Sequence, residues 1–279
     1  MITISDALPI QFWPIGVSTY NETTFGFIDH RCYNQEFACA DTIKLQLIDT
    51  EYNSYSLHVR DEAENLIANL GFTKTAFSGY NAFNLSFNAN DEGFCDQSVR
   101  FYIAQNDGSL DSGTFDPNTM DVSGTGEEIY KSDWIKFNSS IALTPGWGTK
   151  FIEYKSNKNF VGISYPNDGN YFGLRIPCRF YQQRNPTEQN SLVLSNSKVI
   201  NTALTMKVQQ LMTTILLPDY IHNKLQLIFA HASRGSVMID GVEWTIEEAY
   251  ERSSPDTKSS FQTGNIWLTR KNYYVRNII

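Results

Sequence analysis

Nucleophilic and acid–base chemistry would require histidines placed near a serine, a cysteine or a carboxylate, and the sequence offers few of them. It contains four histidines: His30, His58, His222 and His231. His222 and His231 are too far apart to share a site on one helix, and His58 falls on the polar phase of a predicted strand. There is no G-x-S-x-G nucleophile elbow. We interpret the histidines as surface or structural residues.

Metal and phosphate sites are not indicated either. The sequence contains no H-E-x-x-H motif and no C-x-x-C pair. Asp107, Ser109 and Asp111 alternate as in a calcium loop, but an EF-hand needs glycine at its sixth position, where Ser112 stands. The glycine-rich pieces 124–126 and 145–148 do not precede a helical pattern, as a phosphate cradle does. We therefore predict no catalytic, cofactor-binding or metal-binding residues, and no enzyme.

Two features leave carbohydrate chemistry open. Glu243, Glu247 and Glu248 flank Trp244, and paired carboxylates hydrolyse glycosidic bonds. Four aromatic residues in loop-like places could stack on sugars: Tyr52, Tyr80, Trp147 and Tyr165. A solvated hairpin edge for the glutamates, and core or interface packing for the aromatic residues, are the simpler interpretations.

Composition limits the partners of this chain. The 279 residues carry a formal charge of −8, whereas nucleic-acid binding needs a clustered basic surface. The same charge argues against binding to anionic lipid. No apolar run approaches the roughly 20 residues of a membrane span. Aromatic residues make up 14% of the chain, and these residues suit half-buried β-strands.

The cysteines suggest a compartment. There are four of them: Cys32, Cys39, Cys95 and Cys178. The N-terminus lacks the basic segment, apolar core and cleavage site of a signal peptide. We therefore expect folding in a cytoplasm, with all four cysteines reduced and packed.

The elements that would position any site are predicted to be mainly β-strands. Apolar residues alternate with polar ones in four segments, giving these one-sided faces: Ile43, Leu45 and Leu47; Tyr55, Leu57 and Val59; Phe83, Leu85 and Phe87; Val99, Phe101 and Ile103. Short strands of this kind predict a β-sandwich-like domain over residues 1–105.

A change of composition separates this domain from the rest of the chain. Residues 106–130 are acidic and rich in Gly, Ser and Thr, which indicates a linker or a long loop. Residues 131–279 return to strand patterns and form a predicted β-rich domain. It contains one amphipathic helix, 218–231, with apolar residues at 221, 225 and 228. Asp240-Gly241 then predicts a two-residue hairpin turn.

Several runs of the C-terminal half are similar to virion structural proteins of tailed phages that infect Bacteroidetes, including crAss-like phages. The runs are RIPCRFYQQRNPTEQN at 175–190, LVLSNSKVI at 192–200, PDYIHNKLQLI at 218–228, VMIDGVEW at 237–244 and WLT at 267–269. The run ADTIKLQL at 40–47, followed by a strand ending at Arg60-Asp61, resembles a β-sandwich module of the same phage proteins.

The resemblance implies a tail ring, hub or baseplate component that lies between the portal and the distal tail. Such a subunit would oligomerise with itself as a ring, contact neighbouring tail or neck proteins, and reside in the virion after assembly in the host cytoplasm. It implies no active-site residues. The alternative is a carbohydrate-binding adhesin or receptor-binding β-sandwich module, and a glycan hydrolase or lyase is a third hypothesis.

Overall fold

Over the residues that the structure describes, the fold is mainly β, as predicted, with strands in several sheets and two helices. It is seen in a computed structural model that describes residues 2–24, 33–51, 54–106, 127–141, 148–159, 162–165, 171–233, 235–253 and 261–277. Two compact units share these residues. The first comprises residues 1–145 and 157–176, and the second 146–156 and 177–279.

The first unit consists of two sheets and a short helix. Its elements are β1 (Ile2–Ile4), β2 (Phe12–Pro14), α1 (Tyr20–Thr24), β3 (Gln35–Ala38), β4 (Ile43–Asp49), β5 (Ser54–Arg60), β6 (Leu66–Gly71), β7 (Thr73–Phe77), β8 (Tyr80–Phe87), β9 (Ser98–Asn106), β10 (Glu127–Ser132) and β11 (Ile135–Asn138). One sheet has the order β1-β4-β8-β7. The other has the order β2-β10-β9-β11-β3, and in addition β5 pairs with β9 and β6 pairs with β5. The β3–β11 pair is parallel.

Aromatic side chains fill the space between the two sheets. The Phe87 ring of β8 lies 5.5 Å from the Phe101 ring of β9, and Tyr55 of β5 contacts Phe83 of β8 edge to face at 4.9 Å. Edge-to-face and tilted aromatic pairs stabilise a core beyond the area they bury. The sandwich predicted for the N-terminal region is therefore confirmed, and the predicted face of β4 is buried throughout.

The acidic segment connects two neighbouring strands of one sheet. Gln105 of β9 and Glu127 of β10 are register partners, so the chain leaves and re-enters the same sheet. β10 and β11 each pair with β9 and therefore belong to the first unit, which differs from the predicted division at 105 and 131. Residues 107–126, including the calcium-like alternation at 107, 109 and 111, lie outside the described residues.

A disulfide joins Cys39, just after β3, to Cys95, just before β9. The expectation that all four cysteines are reduced is therefore wrong for this pair. The two cysteines are 56 positions apart in the sequence, and this spacing does not reveal that their Cα atoms lie 5.3 Å apart in the fold. Cys178 is a free, buried thiol, and burial raises its pKa to about 12. Cys32 lies outside the described residues.

A buried ion pair brings the late segment 157–176 into the first unit. Arg175 donates from Nε and Nη2 to the Asp41 carboxylate at 2.5 and 2.6 Å. Both side chains are less than a tenth exposed. Asp41 also accepts the backbone N–H of Ala38 at 2.8 Å. Two donors on one side and a backbone amide on the other compensate the desolvation of this carboxylate.

The second unit is one large sheet with a helix. Its elements are β12 (Thr149–Ser156), the later part of β13 (Phe172–Arg184), β14 (Thr187–Val193), β15 (Val199–Thr214), β16 (Leu217–Pro218), α2 (Asp219–Ala232), β17 (Gly235–Ile239), β18 (Val242–Ile246), β19 (Glu251–Arg252), β20 (Phe261–Gln262) and β21 (Gly264–Asn277). The large sheet has the order β14-β15-β13-β12-β17-β18-β21-β19, and β15 also pairs with β21. β16 and β20 form a separate two-stranded pair.

Helix and hairpin predictions for this region are confirmed. α2 spans Asp219–Ala232 and buries the predicted apolar face of Ile221, Leu225 and Ile228. Asp240 and Gly241 form the two-residue turn between β17 and β18, both with positive φ, as a type I′ hairpin requires. The C-terminal tail extends β21 to Asn277.

Candidate functional site

The histidines that the structure describes are buried. His222 contacts the Tyr250 hydroxyl through Nδ1 at 2.6 Å and the Gln262 carbonyl oxygen through Nε2 at 2.8 Å. Burial lowers its pKa. His231 is fully buried, with its ring 6.2 Å from that of Tyr154. His58, predicted on the polar phase of its strand, is buried because both faces of β5 are covered over residues 55–59, so it is structural rather than at the surface. His30 lies outside the described residues.

His58 stands between a hydroxyl and a carboxylate. Its Nε2 lies 3.4 Å from Ser56 Oγ, and its Nδ1 lies 2.9 Å from Glu128 Oε1. This is the order of groups in a nucleophile–base–carboxylate triad. Ser56, however, is only 6% exposed, and its strand is paired on one side with β6 and on the other with β9. A substrate carbonyl has no approach to a hydroxyl held in this way, so the three groups form a structural network.

Arg60 completes that network on the solvent side. It donates to Glu128 Oε1 from Nε at 3.1 Å and from Nη2 at 2.7 Å. Although burial alone would raise the pKa of Glu128, the hydrogen bonds and charges of His58 and Arg60 lower it. Glu128 is thus held as a carboxylate.

The glutamates beside Trp244 separate into different ion pairs. Glu243 binds Lys271, Glu247 binds Lys207, and Glu248 binds Arg184. Trp244 is 5% exposed and stacks on Phe180 at 4.8 Å, so its ring faces the core. Each carboxylate has its own cation, as the interpretation of a solvated hairpin edge expects.

Two of the four loop aromatics are partly buried packing residues. The Tyr80 hydroxyl lies 3.2 Å from Ser164 Oγ, and the Tyr165 ring meets Phe172 edge to face at 5.9 Å. Burial raises the pKa of Tyr165. Tyr52 and Trp147 lie outside the described residues.

A cavity of about 350 Å³ in the first unit brings an indole ring together with polar side chains. The lining residues are Asn34, Glu62, Ser98, Trp134, Ile135 and Lys136. Ser98 of β9 and Lys136 of β11 are register partners, and Trp134 directly precedes β11. Ile135 and Phe137 point into the core, at 2% and 0% exposure, so alternation places Trp134 and Lys136 on the opposite face.

The indole ring of Trp134 is held by Arg100. The guanidinium carbon lies 4.6 Å from the ring centroid, a distance at which the ring quadrupole attracts a cation. Arg100 is 11% exposed and lies 3.6 Å from carboxylate oxygens of both Glu22 and Glu64. The ring and the cation that stacks on it are therefore fixed by charges from two other elements.

Glu22 ties this arrangement to α1. It accepts the backbone N–H of Thr19 and the Lys131 ammonium, both at 2.9 Å. Although burial alone would raise the pKa of Glu22, these two contacts lower it. The bond from the Thr19 N–H to Glu22 is the side-chain-to-N-cap half of a capping box with the pattern T-x-x-E. The T-x-x-E motif is the sequence signal for the short helix α1. The period-two alternation at 134–137 is the signal that Trp134 lies on the face opposite the core.

A second cleft of about 400 Å³ shares Glu62 and Ser98 with this cavity. Its other lining residues are Asp61, Ala63, Asp96 and Gln97. Asp96 accepts the backbone N–H of Ser139 at 2.8 Å. Asp96 lies within 4.8 Å of the Cys39 and Cys95 sulfurs, but those sulfurs are bonded to each other and offer no thiolate to a metal.

Comparisons with known protein families and with curated proteins found no match to this chain. In the part of the chain that the structure describes, no helix is long and apolar enough to cross a membrane. The cavity beside Trp134 is lined by one carboxylate and one ammonium group, an arrangement suited to binding.

Proposed function

We propose that this chain is a structural subunit of a tailed-phage virion, a ring, hub or baseplate component that oligomerises with itself. The phage assignment rests on the sequence resemblance. The observation that carries the assembly role is the β14–β15 hairpin, whose end exposes two facing valines. Val193 and Val199 are register partners and are 67% and 58% exposed.

The position of these valines suits a contact between subunits. β14 is the outermost strand of its sheet, so one row of its backbone groups faces away from the ladder. Exposed apolar side chains at the end of an edge hairpin gain stability when another surface covers them. A head-to-tail contact of this kind, repeated by rotation, closes into a ring.

The neighbouring sheet surface has the residue types that interfaces favour. Tyr181 is 59% exposed, and the Arg179 guanidinium lies 4.5 Å from its ring centroid. Arg184 stacks on Trp267 at 4.0 Å. Tyr, Trp and Arg are the residues that most often dominate binding energy at protein interfaces.

Native mass spectrometry of the full chain tests the assembly role. We expect a discrete oligomer, and we expect Val193→Lys/Val199→Lys to dissociate it. Covering one valine contributes on the order of 1.5 kcal/mol, so the double variant should weaken assembly by roughly 100-fold. A matched control is Val17→Lys/Ile67→Lys, which charges two apolar residues of 49% and 38% exposure in the first unit.

The control variant should assemble like the parent chain. A parent chain that stays monomeric at high concentration would contradict the assembly role. Dissociation of both variants to the same extent would show that the hairpin has no special part in it.

A further inference from the structure

We propose that the cavity beside Trp134 binds a neutral saccharide of one or two rings. Its volume of about 350 Å³ lies at the lower end of the range of about 300–1,000 Å³ for small-molecule sites. That size suits a monosaccharide or disaccharide and is small for a dinucleotide.

The lining has the chemistry that a sugar requires. The C–H face of a pyranose ring packs against an aromatic face, and its hydroxyls both donate and accept hydrogen bonds. Trp134 supplies the aromatic surface. Asn34 and Ser98 supply groups that donate and accept, Glu62 supplies an acceptor, and Lys136 supplies a donor.

The charges of the site favour a neutral ligand. Glu62 and Lys136 cancel each other in the cavity. The adjoining cleft adds Asp61 and Asp96, both carboxylates whose pKa is lowered by hydrogen bonds, from Asn65 and Ser139 respectively. A phosphate, sulfate or sialic acid would approach an acidic rim with one lysine to pair with it, so anionic ligands are disfavoured.

The site is preorganised. Arg100, held by Glu22 and Glu64, fixes the indole ring. The Cys39–Cys95 disulfide anchors the segment that enters β9 three residues before Ser98. A ligand that binds there orders few protein groups, so little of the interaction energy is lost to ordering.

An array of immobilised glycans, probed with the full chain, tests the inference. The neutral arm carries glucose, galactose, mannose and N-acetylglucosamine with their disaccharides, and the anionic arm carries sialyllactose and sulfated disaccharides. We expect binding in the neutral arm. Titration calorimetry with the neutral sugar that binds should then show at least a tenfold loss of affinity in Trp134→Ala.

Two further variants keep the test independent of folding. Glu62 and Lys136 are exposed, so Glu62→Gln and Lys136→Ala should fold normally. Each of these variants should nevertheless bind the sugar with lower affinity than the parent chain. Tyr220→Ala removes another partly exposed aromatic ring, from the other unit, and should leave the affinity unchanged.

The inference is overturned by binding confined to the anionic arm, by an absence of binding in both arms, or by unchanged affinity in Trp134→Ala and Glu62→Gln. The oligomeric state measured by native mass spectrometry is a separate readout. Its outcome bears on the assembly role and not on this cavity.

Discussion

Removal of the Cys39–Cys95 disulfide should destabilise the first unit by a predictable amount. The bond closes a loop of 56 residues. In the chain-entropy treatment, cross-linking a loop of this length removes about 14 cal/mol/K from the unfolded state, or about 4 kcal/mol at 25 °C. A domain of ordinary stability has about 5–15 kcal/mol in total, so the loss would be large.

The perturbation is best made in two ways. Cys39→Ala/Cys95→Ala removes the bond by mutation, and a phosphine reductant removes it in the parent chain. Because the chain has two units, a single unfolding curve can mix two transitions. Urea titration followed by hydrogen exchange of peptides from β9 reports the first unit by itself.

We expect the parent chain to lose about 4 kcal/mol on reduction, and the double variant to be insensitive to the reductant. Cys178→Ala is the control, since it changes a buried free thiol and should leave the effect of the reductant intact. If mass spectrometry shows full reduction and the free energy of unfolding changes by less than about 1 kcal/mol, the chain-entropy argument fails for this loop.

Three further predictions concern single positions. Gly264→Ala should destabilise the second unit by several kcal/mol on thermal melting, because a Cβ there would overlap the Tyr250 hydroxyl. Asp41→Asn should cost about 3–5 kcal/mol in urea titration, because it leaves Arg175 buried without its ionic partner. The lowered pKa of Glu128 means that its contribution to stability is present above the unfolded value near pH 4.3 and is lost as the pH falls through the folded value. The pH dependence of unfolding should therefore be shallower at acid pH in Glu128→Gln.

Each of these has a matched control. Gly71→Ala adds a Cβ with no atom within 4 Å and should leave the melting temperature unchanged. Glu243→Gln breaks an ion pair with a half-exposed lysine and should cost no more than about 1 kcal/mol. Asp240→Asn removes a carboxylate from an ion pair of the second unit and is the control for Glu128→Gln. Equal effects in a variant and its control would contradict the corresponding prediction.

The periodicity of apolar residues and the residue types at turns were enough to predict much of the fold. Alternation identified β4, β5, β8 and β9, because each has one face against the same core. The helix followed from its 3.6-residue period, and the hairpin from Asp240-Gly241.

Long-range pairing was beyond the reach of these rules. The proximity of Cys39 and Cys95, the return of β10 to β9, and the parallel β3–β11 pair join residues that are far apart in the chain. His58 looked polar-phased because alternation does not reveal when a second layer covers the other face of a strand. The Trp134 cavity needs residues from four separate segments, so no local pattern could assemble it.

The interleaving of the two units affects how the protein can be made. Residues 146–156 belong to the second unit and are followed by 157–176 of the first, so neither unit is one continuous stretch of chain. A truncation at residue 145 would leave Asp41 without Arg175. At a synthesis rate of about 5–20 residues per second, roughly 2–6 s pass between the addition of residue 145 and that of residue 176. The first unit cannot complete its folding until the segment 157–176 has been made. A nascent chain therefore exposes an incomplete first unit while a strand of the second has already emerged.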